Sequence, residues 1–164
     1  MRIRLADYVA DFLVSHGVTD VFSVVGGGAM HLNDAFGHQE GLKITYNHHE
    51  QACTIAAEGY TRQTGKIAPV CVTGGPGGTN AITGVFGAYV DSIPMFVVTG
   101  QAKRETTVWS TNLPLRQLGD QEVNITSAVS TMTKYAKMIT DPMSIRKEVE
   151  KAWFLMLNGR PGPV

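Results

Sequence analysis

Four short apolar runs, at residues 20–25, 43–46, 68–73 and 95–99, alternate with stretches of helical periodicity through the first hundred residues. The runs are too short to be helices, and they read as largely continuous apolar segments rather than alternating ones, as strands buried on both faces do. Strand and helix alternating over short links is the mark of βαβ units, which build a parallel sheet covered by helices. The predicted fold is therefore α/β: three layers, with a mostly parallel sheet between helices on both faces.

The periodicity predicts a helix through Leu5, Val9, Phe12 and Leu13 that closes at Gly17, and a second through Met30, Leu32 and Ala35 that ends near Gly37. Further helices are predicted over 50–64, 79–89 and 144–157, the last closing at Asn158-Gly159. Residues 134–139 read as a fifth strand, and Pro163-Val164 as the start of another. The segment 101–120 (QAKRETTVWSTNLPLRQLGD) breaks the rhythm and reads as a long loop, a feature that in compact domains is usually functional or mobile.

Charge and composition remove several classes of function. Fourteen basic and fourteen acidic residues cancel, which leaves no electrostatic case for nucleic acid or an anionic membrane surface. No apolar run approaches the roughly 18–20 residues of a membrane span. The N-terminal segment starts basic but carries Asp7 and Asp11 inside its apolar pattern, unlike a secretory signal, so a cytoplasmic protein is expected. Cys53 and Cys71 have no metal-type spacing and read as buried free thiols. His48 and His49 are adjacent, and neighbouring side chains on a helix diverge, so no metal site is expected.

Glycine is the one unusual count: 18 in 164 residues, nine of them within 26–28 and 74–87. Average usage is roughly 7%. Both clusters follow predicted strands, and ligands of parallel sheets gather at the carboxyl ends of strands. The standard phosphate loops do not fit. GGPGGTN lacks the Lys and Ser/Thr of a Walker loop, and GGGAMH has His31 where a dinucleotide fingerprint has its third glycine. Pro76 also removes a backbone donor. Tight strand–helix turns and close approach to a ligand both remain open.

Glu50 opens a predicted helix three residues after Asn47. That spacing suits a capping box. It also suits a carboxylate on the ligand edge, partly desolvated and able to exchange a proton. His31, His48 and His49 lie near the same edge as weaker candidates. Gln121 and Glu122 follow the long loop and read as a solvated polar pair.

Read together, HHEQACTIAAEGYTRQTGK (48–66), VTGGPGGTNAITGVFGAYVDSIPMFVVTGQ (72–101), QEVNI (121–125) and GRPGPV (159–164) resemble the N-terminal, pyrimidine-binding domain of thiamine diphosphate-dependent enzymes, closest to the acetolactate synthase group. The resemblance covers essentially the whole chain, 1–164, as one such domain of a longer multidomain protein. It implies a 2-oxo acid decarboxylase or carboligase in which Glu50 hydrogen-bonds N1′ of the aminopyrimidine and promotes the imino tautomer, whose nitrogen takes the thiazolium C2 proton. The cofactor carries the carbon chemistry while the protein controls the tautomer.

By the same resemblance, Val24 and Gly26 match the strand-end loop beside the cofactor. Pro76 and Asn80 match the loop near the pyrimidine, and Gln121 matches an active-site glutamine. Mg2+ and the diphosphate are implied to bind a separate C-terminal domain, through a GDG…NN motif that these residues lack. FAD is an option for a middle domain. A small 2-oxo acid substrate and a homodimer or homotetramer follow. The fragment alone is expected to bind thiamine diphosphate weakly and to catalyse nothing.

The chain departs from the synthase pattern at Val25 and Gly28, at Asp120 in place of a phenylalanine, and in the length of the loop before Gln121. Alternatives are a simple decarboxylase, an oxalyl-CoA or glyoxylate-type relative, a stand-alone coenzyme-binding module, or a regulatory subunit that pairs with a catalytic one.

Overall fold

The computed structural model describes residues 3–164. Its four strands, β1 (Asp20–Ser23), β2 (Lys43–Tyr46), β3 (Val70–Val72) and β4 (Val97–Thr99), form one parallel sheet in the order β2-β1-β3-β4. Register pairs Phe22 with Val70 and Val70 with Val97. Six α-helices accompany the sheet: α1 (Leu5–Ser15), α2 (Met30–His38), α3 (Glu50–Thr64), α4 (Pro76–Val90), α5 (Ile125–Ala128) and α6 (Ile145–Leu157).

Side chains of neighbouring strand residues point to opposite faces, and β3 divides its contacts accordingly. Val70 and Val72 pack with Cys53 and Ala57 of α3 and with Ala81, Val85 and Ala88 of α4. Cys71, with Val21 and Phe96, packs with residues of α1, α2 and α6, among them Leu13, Phe36 and Met156. The result is the expected three-layer α/β arrangement. Each large aliphatic or aromatic side chain so buried contributes on the order of 1.5–3 kcal/mol.

Three elements differ from the sequence reading. Residues 134–139 form no strand. The free edge of β4 is instead taken by Pro163-Val164, which bridge Met95 in parallel and exchange hydrogen bonds with Met95 and Val97 at 2.9 and 3.0 Å. Of the predicted fifth strand, the Lys134 N–H still reaches the sheet and donates to the Pro163 carbonyl. Helix α4 starts at Pro76 rather than Thr79. Proline suits the first helical position, because its missing N–H would be unpaired there in any case. The short α5, capped by the Asn124 side chain on the Ser127 N–H, carries too few residues for periodicity to reveal it.

Because β1 leads outward to β2 while β3 leads the other way to β4, the connection direction reverses between β1 and β3. A crevice at the carboxyl ends of such neighbouring strands is the usual ligand position in open α/β sheets.

Candidate functional site

The two glycine clusters lie just beyond β1 and β3 and so converge on that switch point. At Gly26 a side chain would have its Cβ 2.5 Å from Thr73 Cβ, so the two strand ends meet backbone to side chain. The Gly28 N–H donates to Thr73 Oγ1 at 3.0 Å. Gly75, at φ +60°, turns the chain from β3 into α4 in a conformation open to glycine. Its Cβ position lies 2.3 Å from the Gln121 carbonyl oxygen. Tight packing of the chain on itself thus accounts for Gly26, Gly28 and Gly75, while Gly27 faces open space.

Glu50 is the first residue of α3, and His49 rather than Asn47 is the N-cap: its Nδ1 accepts the Gln51 N–H at 3.1 Å. A capping box would need the acidic residue three positions beyond the cap. One position beyond it, the Glu50 side chain turns toward α4 instead, while the Asn47 amide donates to the Cys53 sulfur at 3.4 Å. Glu50 is 9% exposed. Its Oε2 accepts the Asn80 side-chain N–H at 3.0 Å. Its Oε1 lies 3.4 Å from the Cβ position of Gly77 and takes no hydrogen bond among the described residues.

The approach of two helices explains this pair. At Gly84 a Cβ would sit 2.1 Å from Thr54 Oγ1, so α3 and α4 touch where no larger residue fits. One turn earlier on each helix stand Glu50 and Asn80. Residues four apart share a helix face, so the Gly84–Thr54 contact also sets the Glu50–Asn80 contact.

The neighbouring thiols are inert. Burial pushes the Cys53 thiol up, offset in part by the Asn47 amide and reinforced by the Glu50 charge. Burial likewise pushes Cys71 up to about 12. Both are free and buried, as the sequence suggested.

The remaining candidates divide. Pro76 and Asn80 lie in the first turns of α4 with Glu50 alongside, and Gln121 abuts Gly75 immediately before them. Val24 and Gly26 stand at the end of the adjacent β1, with the Val24 N–H donating to the Cys71 carbonyl. Among the described residues no hydrogen bond joins Val24, Gly26 or Gln121 to Glu50. His31 and His48 are exposed.

Glu122 corrects the sequence reading, which takes it with Gln121 as a solvated polar pair. It is buried, and its carboxylate accepts the N–H groups of Val108, Leu118 and Gly119 at 2.9–3.1 Å. Burial alone would raise its pKa, but the Gly119, Val108 and Leu118 donors outweigh it and hold the carboxyl below its usual range. No local pattern signals this, because the donors are backbone groups up to fourteen residues away.

A separate apolar cavity of about 280 Å³ lies between β4, α4 and α6, lined by Val97, Val129, Tyr135 and Val149. It includes none of the candidate site residues. Glu50 lies outside it, at the carboxyl-end edge of the sheet, where Val25 after β1 and Tyr46 at the end of β2 are exposed.

Residues 3–128 match the family model described as thiamine pyrophosphate enzyme, N-terminal TPP binding domain. The acetolactate synthase large subunit of Lactococcus lactis subsp. lactis (strain IL1403) is 38% identical over 148 residues, covering 90% of this chain and 24% of that protein. Chloroplastic acetolactate synthase of Arabidopsis thaliana is 35% identical over 162 residues, covering 97% of this chain and 22% of that protein. The acetolactate synthase large subunit of Haemophilus influenzae is 36% identical over 163 residues, covering 99% and 27% respectively. The chain spans about a quarter of the length of these relatives.

Proposed function

The chain belongs to the thiamine pyrophosphate enzyme family, matching its N-terminal TPP binding domain, and on that premise we propose that it serves an acetolactate synthase-like 2-oxo acid decarboxylase or carboligase. In this reading Glu50 activates the cofactor's aminopyrimidine. The observation that carries it is the Glu50 carboxylate, buried at a helix start on the switch-point edge with one oxygen held by Asn80 and the other left without a protein donor. A carboxylate oxygen without a protein donor keeps its acceptor capacity for a ligand N–H.

The residues present fit a planar aminopyrimidine. Glu50 would exchange a proton with a ring nitrogen, and Asn80 would hold the carboxylate in place for it. Val24, Gly26 and Pro76 would form the surrounding backbone surface, with Gln121 facing the substrate. When bound, thiamine diphosphate supplies the carbon nucleophile that attacks a 2-oxo acid and stores the electron pair released with carbon dioxide.

Val25 and Tyr46 are exposed at that sheet edge, and this supports completion of the site by another domain. We assign Mg2+ and the diphosphate to that domain, leave FAD as an option for a third, and read the active enzyme as a cytoplasmic homodimer or homotetramer. Ile55, Phe86 and Val90, exposed on the outer faces of α3 and α4, support pairing with a second subunit. Among the described residues no helix is long and apolar enough to cross a membrane. Asp120, exposed immediately before Gln121, favours a second reading within the class, a simple decarboxylase or an oxalyl-CoA or glyoxylate-type relative with a different partner carbonyl.

The test is Glu50→Gln in the full natural chain, with C2–H exchange of bound thiamine diphosphate followed by NMR. Exchange should slow by orders of magnitude with the fold intact, and an unchanged rate rejects the assignment. By calorimetry the isolated 164 residues should bind thiamine diphosphate weakly. Tight magnesium-dependent binding by this piece alone would contradict a diphosphate site elsewhere.

A further inference from the structure

The loop from Gln101 to Val123 straddles the switch point. At its start the Gln101 N–H donates to the Gly28 carbonyl at 3.3 Å, which ties it to the end of β1. At its finish Gln121 presses on Gly75 at the start of α4. The Gln101 side chain closes the base, donating to the Val123 carbonyl at 3.1 Å. Between these ends the loop has two single-turn 3₁₀ segments and few buried side chains, so packing alone does little to hold it.

What fills its interior is one carboxylate. Glu122 gathers the N–H groups of Val108, Leu118 and Gly119, three donors from both arms of the loop. Gly119 has no room for a side chain, since a Cβ there would lie 2.5 Å from Ala102 Cβ and 2.8 Å from the Thr106 carbonyl oxygen. The arms therefore close directly on each other around the carboxylate. Next to Glu122, Gln121 sits at φ +52°, a left-handed conformation that costs a non-glycine residue on the order of 1 kcal/mol or more and persists only when its neighbours enforce it.

We propose that Glu122 is a positioning residue: by gathering the Val108, Leu118 and Gly119 N–H groups it sets the 101–123 loop so that Gln121 is held against Gly75, beside the helix turn that carries Pro76 and Asn80. Its role for the reaction rests on the reading of Gln121 as part of the substrate site. The clamp itself stands on the hydrogen bonds alone. Glu122 Oε2 accepts all three donors and Oε1 only Val108; a carboxamide loses the charge and turns its NH2 toward the Val108 N–H, so Glu122→Gln weakens the clamp with little change of volume. Glu122→Asp keeps the charge but draws the carboxylate back by one methylene, so an intermediate effect follows.

The experiment uses the full natural chain. Hydrogen exchange by mass spectrometry should show peptides over 104–119 exchanging at least about tenfold faster in Glu122→Gln, as loss of hydrogen bonds to a charged group implies, with peptides over β3 unchanged. Turnover of the 2-oxo acid should fall or its KM rise. C2–H exchange of bound thiamine diphosphate should stay at the wild-type rate, because that step reads Glu50. Gln121→Ala should reproduce the kinetic change without loosening the loop.

Unchanged exchange over 104–119 in Glu122→Gln overturns the clamp. A loosened loop with unaltered kcat and KM overturns the positioning role. Loss of C2–H exchange as deep as in Glu50→Gln would show a general collapse of the site, which also overturns it. Failure of the cofactor reading itself appears elsewhere, as unaltered C2–H exchange in Glu50→Gln, and leaves the loop result intact.

Discussion

Glu50 and Glu122 are equally buried, each 9% exposed, yet they are wired in opposite ways. Glu122 is held by the backbone: three N–H groups converge on it from both arms of the loop. Glu50 receives one side-chain donor, from Asn80, and keeps an oxygen with no donor among the described residues. A buried carboxylate is costly unless it is hydrogen-bonded. Where the chain supplies several donors the group organises structure, and where it withholds them an acceptor is left for a ligand. The two are joined through Gly75, which touches Gln121 on one side and opens α4 on the other.

The sharpest way to break the comparison is Glu50→Gln, where C2–H exchange should fall by orders of magnitude. The same Glu→Gln change at Glu122 should leave that rate alone and loosen only the loop.

Next in size is Gly75→Ala, which strikes the joint between the two carboxylates. A Cβ there is strained at φ +60° and meets the Gln121 carbonyl at 2.3 Å. The expected loss is roughly 2–5 kcal/mol of stability, measured by chemical denaturation. A stability within about 0.5 kcal/mol of wild type would mean the joint is slack.

Acid should separate the two regions more gently. A carboxyl whose folded-state pKa is lowered adds stability that is fully present above its unfolded value and is lost as pH falls through the folded value. For Glu122 the window therefore lies below the ordinary carboxylate range. Wild-type peptides over 104–119 should lose protection there, after correction for intrinsic exchange rates, while Glu122→Gln should show no such step.

The smallest effect is expected at Asn80→Ala, which removes the one side-chain donor to Glu50. Loss of a single hydrogen bond to a charged group suggests about a tenfold slower C2–H exchange. A loss as large as that of Glu50→Gln would show that Asn80 meets the cofactor directly.

Much of this architecture was open to a reader of the chain. The predicted span of α3, residues 50–64, is the span observed, because a capped first turn at His49 and a closing Gly65 bracket a clean helical pattern. The start of α4 lies three residues earlier than the pattern predicts because Pro76-Gly77-Gly78 has the composition of a loop, while its close neighbours, Thr73, Glu50 and Ile125, lie elsewhere in the chain. Residues 134–139 had the composition of a strand but lost the sheet edge to Pro163-Val164, a competition between segments that local pattern does not contain.

The candidate site divides in the same way. Glu50, Asn80 and Gln121 could be singled out from motifs whose residues stand in fixed order along the chain. That Glu50 and Asn80 touch, thirty residues apart, was decided by the Gly84–Thr54 approach of two helices. Glu122 was invisible for the opposite reason: its partners are backbone amides, which every residue carries and no sequence displays. The sequence alone determined the layers and the family and singled out Glu50 as the candidate carboxylate, since these follow from periodicity and from local motifs. The tertiary structure alone decided which of two equally buried glutamates gathers three backbone donors and which takes one side-chain donor, because hydrogen-bond satisfaction depends on where distant backbone comes to rest.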